Sequence, residues 1–194
     1  FIFSEYSFKS WDYRRYEMAA QVVKEGGDPY GQGYLYPPLL AQGMALEAKW
    51  LESISDSLDE KQIWDLVFYL HQCLQFLMLN LAFTLGYRLA RSLGVKDWIA
   101  LTLMAALLLF NAQVYRSLRY NQINLIVLNA FLLGIVLTAR YPLAGGLAAA
   151  VGGHLKLYPA LMLFPWLATR RWKALLGFVL GAGAILWLQT DQGR

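Results

Sequence analysis

The stretch Ile99–Tyr115, IALTLMAALLLFNAQVY, contains no charged residue, and Tyr120–Ala139, YNQINLIVLNAFLLGIVLTA, contains none either. Each comes near the ~20 apolar residues with which a helix crosses about 30 Å of hydrocarbon. Ala174–Thr190 is a third charge-free stretch. Ile63–Tyr87 carries only Asp65 and His71, and Pro142–Thr169 only His154 and Lys156. Trp64, Tyr87, Trp98, Tyr115, Tyr120 and Trp172 stand near the ends of these stretches, as an interfacial aromatic belt requires. The pattern predicts an all-α, multi-pass integral membrane protein. The whole-chain composition agrees: 58% of residues are hydrophobic and 15% charged, against about 25% charged in soluble domains. A net charge of +4, unevenly placed, does not suggest nucleic acid, and a single cysteine, Cys73, excludes a disulfide framework.

Charge placement predicts sidedness. Arg88, Arg91 and Lys96 share one short loop, Arg170, Arg171 and Lys173 another, and Arg140 marks a third. Short Lys/Arg-rich loops stay cytoplasmic. Glu47–Asp65 instead holds six acids against two lysines and is expected outside. Residues 1–61 then form an external loop and residues 62–194 the transmembrane helices. Ile63–Tyr87 runs inward, Trp98–Tyr115 outward, Ile123–Ala139 inward and Ala174–Thr190 outward. Arg116 and Arg119 fall on the external side, against the simple rule, and call for an anionic partner. The chain opens at Phe1 with Glu5 close behind, so no cleavable signal is read. It is expected to be the N-terminal half of a longer protein, without its first helix.

Two short helices are expected in the external loop. Ser10 can cap a helix from Trp11 to about Glu25, stopped by Gly26-Gly27. On it Asp12, Arg15 and Tyr16 fall on one side, at i, i+3 and i+4. Asp28 caps a turn before Pro29, and Pro37-Pro38 opens a second helix, roughly Leu39 to Ile54. That helix lies in the interface with Leu40, Met44 and Leu51 turned down.

Pro142–Thr169 must begin and end inside, so it turns near His154-Leu155-Lys156. Each arm has about 13 residues, roughly 20 Å at 1.5 Å per residue, too short to span. Lys156 is then recessed below the outer surface. An ionisable residue at such depth marks a functional site, unless its ammonium snorkels to the interface as an anchor.

The runs Trp11-Asp12-Tyr13, Tyr16, Ala19-Ala20, Gly27-Asp28-Pro29-Tyr30 and Tyr36-Pro37-Pro38-Leu39 resemble the first external loop of family 87 glycosyltransferases. Later pieces follow in order. Arg119-Tyr120-Asn121-Gln122-Ile123-Asn124 stands where the family commonly has Gly-Gln-x-Asn. Ala144-Gly145-Gly146, Lys156-Leu157-Tyr158-Pro159 and Arg170-Arg171-Trp172 come next. No single motif is specific; their order on the predicted topology is. The resemblance implies a C-type glycosyltransferase-like helix bundle in the plasma (inner) membrane. Its activity would be inverting transfer of a hexose such as mannose from a polyprenyl-phosphate donor, with its active site on the external or periplasmic side. The acceptor would be a lipid or a glycan, and membrane lipids the other partners.

By that resemblance Asp12 matches the loop aspartate and is the expected general base; by its position alone it complements a helix start. Lys156, Arg119 and Arg15 are the external cations available to a donor phosphate, and Arg119 serves equally well for lipid headgroups. Related enzymes often carry a lysine directly before the Pro-Pro pair, where this chain has Tyr36. Gln122 and Asn124 can bind a sugar hydroxyl, or more simply another helix. His154 is placed to meet phosphate or to satisfy a neighbouring helix. His71 is assigned to packing, and Cys73 to a buried apolar position. There is no His/Cys set with ligand spacing, no Asp-x-Asp pair and no nucleotide-binding loop, so no metal site and no cofactor are predicted. A lipid or sugar transporter and a non-catalytic scaffold are the competing readings. A transporter would also explain the recessed lysine, but the paired half-sequences it usually shows are missing.

Overall fold

Trp11–Lys24 has no internal Gly or Pro and forms helix α1, which ends where Gly26 takes a left-handed φ of 83°. Only glycine adopts that conformation without strain. The computed structural model describes residues 11–55 and 57–191. The expected cap at Ser10 lies outside them. Eight further helices follow among the described residues: α2 (Leu39–Ile54), α3 (Glu60–Ser92), α4 (Asp97–Leu109), α5 (Ala112–Arg119), α6 (Asn124–Thr138), α7 (Pro142–Leu155), α8 (Leu163–Ala168) and α9 (Trp172–Asp191). Short 3-10 turns occupy Pro29–Gln32 and Tyr158–Met162, and the described residues contain no strand.

The two short helices expected before residue 61 are both present, and together they form a platform. Asp28 Oδ1 accepts from the Tyr30 backbone N–H at 3.0 Å and caps the first 3-10 turn. α2 has the predicted bounds and buries Leu40, Met44 and Leu51. With Tyr13, Tyr16, Ala19 and Ala20 of α1 these side chains form the main core. Ile63, Trp64, Val67 and Phe68 of α3, Ile123 just before α6, Val127 of α6 and Leu155 of α7 join it. The α1–α2 hairpin therefore sits on one end of the bundle. Lys24 and Glu52 join its two helices by an ion pair.

α3 is longer than the apolar pattern predicted, 33 residues instead of Ile63–Tyr87. Asp59 and Gln62 close a capping box at its start, at 2.7 and 3.0 Å. Its first two turns belong to the platform core, so the helix needs more than a membrane's thickness. At the far end Tyr87 and Arg91 both bind Asp97 Oδ1, at 2.8 and 2.7 Å, and pin the α3–α4 turn.

The expected span Trp98–Tyr115 is broken. The Asn111 side chain accepts from the backbone N–H groups of Gln113 and Val114 and starts a new helix, so α5 departs from α4 by 53°. α3 and α9 are long and apolar enough to cross a bilayer, and α4 with α5 makes a third candidate if the bent pair is one span. α6 and α7, with 15 and 14 residues, are shorter, about 22 Å at 1.5 Å per residue. Large apolar side chains line the outside of α3, α4 and α9, among them Phe76, Leu77, Leu107, Val179 and Trp187. Exposed apolar side chains in this number suit contact with lipid. Cys73 is one correction: it is exposed on α3, not buried. In hydrocarbon the outer face of a helix is as apolar as the inner one, so a small apolar residue fits either.

Small residues bring the remaining helices together. A Cβ on Gly146 would strike the backbone of Ala174 and Phe178, and one on Gly177 the Leu143 carbonyl. Toward α6, a Cβ on Gly145 would strike the Thr138 N–H and the Gly134 carbonyl, and one on Gly152 the Ala130 methyl. α7 thus lies backbone-to-backbone between α6 and α9, the small-residue contact by which helices associate without a hydrophobic driving force. The basic clusters Arg88–Lys96, Arg140 and Arg170–Lys173 gather at the end of the bundle away from the platform.

Candidate active site

Asp12 lies in the first turn of α1, partly exposed. Tyr16, one turn on, is fully buried, its ring edge-on to Tyr36 at 5.3 Å. Burial first, and then the nearby Tyr36 phenol and Asp12 carboxylate, push the Tyr16 phenol up, so it stays neutral. Burial does the same to Tyr13. Arg15 is half-buried against the loop that follows, beside Gly33.

The residue facing Asp12 comes from the α5–α6 junction. α5 stops because Asn121 takes φ 50°, a conformation that Asn tolerates. The Asn121 amide holds the Phe68 carbonyl of α3 at 3.3 Å, and the Gln122 N–H closes the turn on Ser117 O at 2.9 Å. This anchored turn aims Gln122 back at the platform, where its Nε2 donates to Asp12 Oδ2.

Lys156 arrives from the other side. Its N–H makes the last bond of α7, to Gly152 O, and its own backbone is then extended. Pro159, two residues beyond Leu157, has no N–H with which to continue the helix, so the chain turns there as expected. The ammonium donates to Asn124 Oδ1 at 2.7 Å. It also sits 5.1 Å from the centre of the Tyr36 ring. The Tyr36 ring, directly before Pro37-Pro38, thus gives the ammonium an attractive cation–π contact.

The two halves meet through amides. Asn124 Nδ2 donates to Gln122 Oε1 at 2.8 Å and to Ser117 Oγ at 3.1 Å. One hydrogen-bonded chain therefore runs from Lys156 through Asn124 and Gln122 to Asp12. Lys156 lines an open groove of about 610 Å³ with His154, Tyr158, Tyr30, Tyr36 and Pro37, closed on one side by Leu186 and Gln189 of α9. Asp12 does not line this groove itself; it is reached through the amides. His154 Nδ1 lies 2.9 Å from Ala150 O. A carbonyl only accepts, so the ring proton is on Nδ1 and Nε2 is left for a groove occupant.

Of the residues singled out in the sequence, Asp12, Tyr16, Gln122 and Lys156 converge, and His154 lies in the same groove. Arg119 does not join them. It is on the exposed face of α5, 5.6 Å from the Tyr120 ring. Tyr36 and Asn124 are the members that sequence reasoning undervalued. The signal for Asn124 was its place at the end of the largely polar run Arg119–Asn124, directly before the apolar residues of α6.

A family model described as glycosyltransferase family 87 matches residues 34–190. The match takes in Tyr36, Gln122, Asn124, His154 and Lys156 and begins after α1. No curated protein and no solved structure matches the chain.

Proposed function

The chain belongs to glycosyltransferase family 87, and on that premise we propose that it moves a hexose such as mannose from a polyprenyl phosphate to a lipid or glycan hydroxyl. In this reading it is a multi-pass protein of the plasma (inner) membrane with a C-type glycosyltransferase bundle. Its platform faces the external or periplasmic side. The gathering of seven basic residues at the opposite end supports that orientation. The observation that carries the reading is the hydrogen-bonded chain from the groove-lining Lys156 to Asp12.

Lys156 meets the donor phosphate in the groove, with His154 as a further contact and the Tyr36 ring as part of the wall; Tyr16, fully buried, supports Tyr36 from behind, and Arg15, beside Gly33, does not line the groove. Asp12 takes the proton of the acceptor hydroxyl while that oxygen attacks the anomeric carbon. The bond from that carbon to the phosphate oxygen breaks on the opposite face, the phosphate leaves with the electron pair, and configuration inverts. The Lys156 ammonium stabilises the charge that develops on the phosphate as the bond breaks. Gln122 holds the carboxylate for this step. Arg119, at the outer edge, serves phosphates at headgroup level.

The test is a transfer assay on the full-length protein in membranes with a panel of polyprenyl-phosphate sugars. Transfer from one of them, dependent on Asp12, is expected. Absence of transfer from all of them, in protein that is folded and supplied with lipid and glycan acceptors, overturns the reading.

A further inference from the structure

Every hydrogen bond between Lys156 and Asp12 points the same way. An ammonium only donates and an ionised carboxylate only accepts. Asn124 must therefore turn Oδ1 to Lys156, which leaves Nδ2 for Gln122 Oε1 and leaves Gln122 with Nε2 for Asp12. The charges at the two ends fix the orientation of both amides. Ser117 Oγ, itself donating to Gln113 O at 2.8 Å, takes the second Asn124 N–H and completes its valences.

Resting on the transferase reading, we infer that Asn124 is a positioning residue with two linked tasks. It holds the Lys156 ammonium until the donor phosphate displaces it, and it holds Gln122 in the orientation that presents Nε2 to Asp12. Donor binding then exchanges a neutral amide oxygen for a phosphate oxygen at Nζ, at little cost in electrostatics. Charge-assisted bonds are the stronger ones, so the exchange favours the donor. The carboxylate stays aimed because Ser117 still anchors the amide.

The isosteric change Asn124→Asp separates this role from a structural one. Residue 124 opens α6, and an acid there complements the helix dipole. A structural role therefore predicts unchanged or raised thermal stability and unchanged kinetics. The positioning role predicts that a carboxylate at 124 competes with the donor for Lys156 and has no N–H for Gln122. In the full-length protein the donor KM should rise about tenfold, and kcat should fall by about ten- to a hundredfold, for the lost bond to a charged group's partner. Asn124→Ala should lower kcat similarly but leave the donor KM unchanged or reduced, because nothing then competes for the ammonium. Asn124→Ser replaces it if the alanine variant does not fold. A donor KM raised in the aspartate variant but unchanged or reduced in the alanine variant, with kcat lowered in both, supports the inference. A kcat within twofold of wild type in both variants, or KM shifts of the same sign, overturns it. Binding of farnesyl phosphate to the wild type, followed by calorimetry, keeps the two readings apart. A wild type that binds no lipid phosphate and transfers no sugar fails the transferase reading. A wild type that does both, beside unaltered Asn124 variants, fails only this inference.

Discussion

Lys156 and Asp12 come from the end of α7 and the start of α1, and two side-chain amides join them: the ammonium binds Asn124 Oδ1 at 2.7 Å, and Gln122 Nε2 binds the carboxylate. The opposite charges are thus held close without forming an ion pair of their own among the described residues. Lys156 also lines the groove, and Asp12 stays partly exposed. This arrangement suits a reaction that needs a cation for one substrate and a base for the other.

Asp12→Asn keeps the size of the side chain and removes its basicity. Turnover of the full-length protein should fall by about 10²–10⁴-fold, the usual worth of a positioned base. Donor binding should survive. Near-normal turnover in a folded variant would make Asp12 a helix-start residue and nothing more.

Lys156→Ala removes the cation that faces the groove while leaving the α7 turn, which rests on Pro159 and the bond to Gly152 O. Affinity for a polyprenyl phosphate should drop by about ten- to a hundredfold. Equilibrium binding measured on the Asp12→Asn background isolates this from turnover. Unchanged affinity would leave Lys156 as an interfacial anchor.

Gln122→Glu would put a second carboxylate against Asp12. Two such groups share one proton and hold it to higher pH than a lone carboxylate does. The base must be ionised to act, so the acid limb of the kcat profile should move to higher pH. At a pH well above that limb, much of the activity should return. A profile that only scales down, without moving, would show that Gln122 does not face the base.

Two glycine substitutions should act in opposite directions. Gly146→Ala drives a methyl into the α9 backbone and should cost about 1–3 kcal/mol, as overpacking does. Gly43, inside α2, has nothing within 4 Å of a Cβ. Gly43→Ala should stabilise by about 0.5–1 kcal/mol, the helix penalty of glycine. Thermal melts in detergent read both.

Sidedness is testable with a Cys73→Ser background, since the native thiol is exposed on α3. An impermeant thiol reagent applied from outside intact cells should label Ser57→Cys beside the platform and miss Ser92→Cys at the basic end. The reverse pattern would invert the orientation.

The sequence by itself determined the local elements. Their causes lie within a few residues of each: the Gly26 stop after α1, the Asp28 cap, Pro37-Pro38 before α2, and Pro159 after Lys156. It also determined the all-helical class and the two chemical ends of the bundle, because long apolar runs and clustered charges are properties of the chain. The tertiary structure decided which faces meet. Apolar residues surround α3, α4, α6 and α9 on every side, and in such helices hydrophobic periodicity cannot separate the inner face from the outer. Hence Cys73 lies outward, and the contacts of α7 are set by glycines instead of by apolar bulk. It also decided that the neighbouring-element contacts of Gln122 and Asn124 are with the charged side chains Asp12 and Lys156. An amide accepts either orientation and many partners, so its role is fixed only when the fold places a charge at each end.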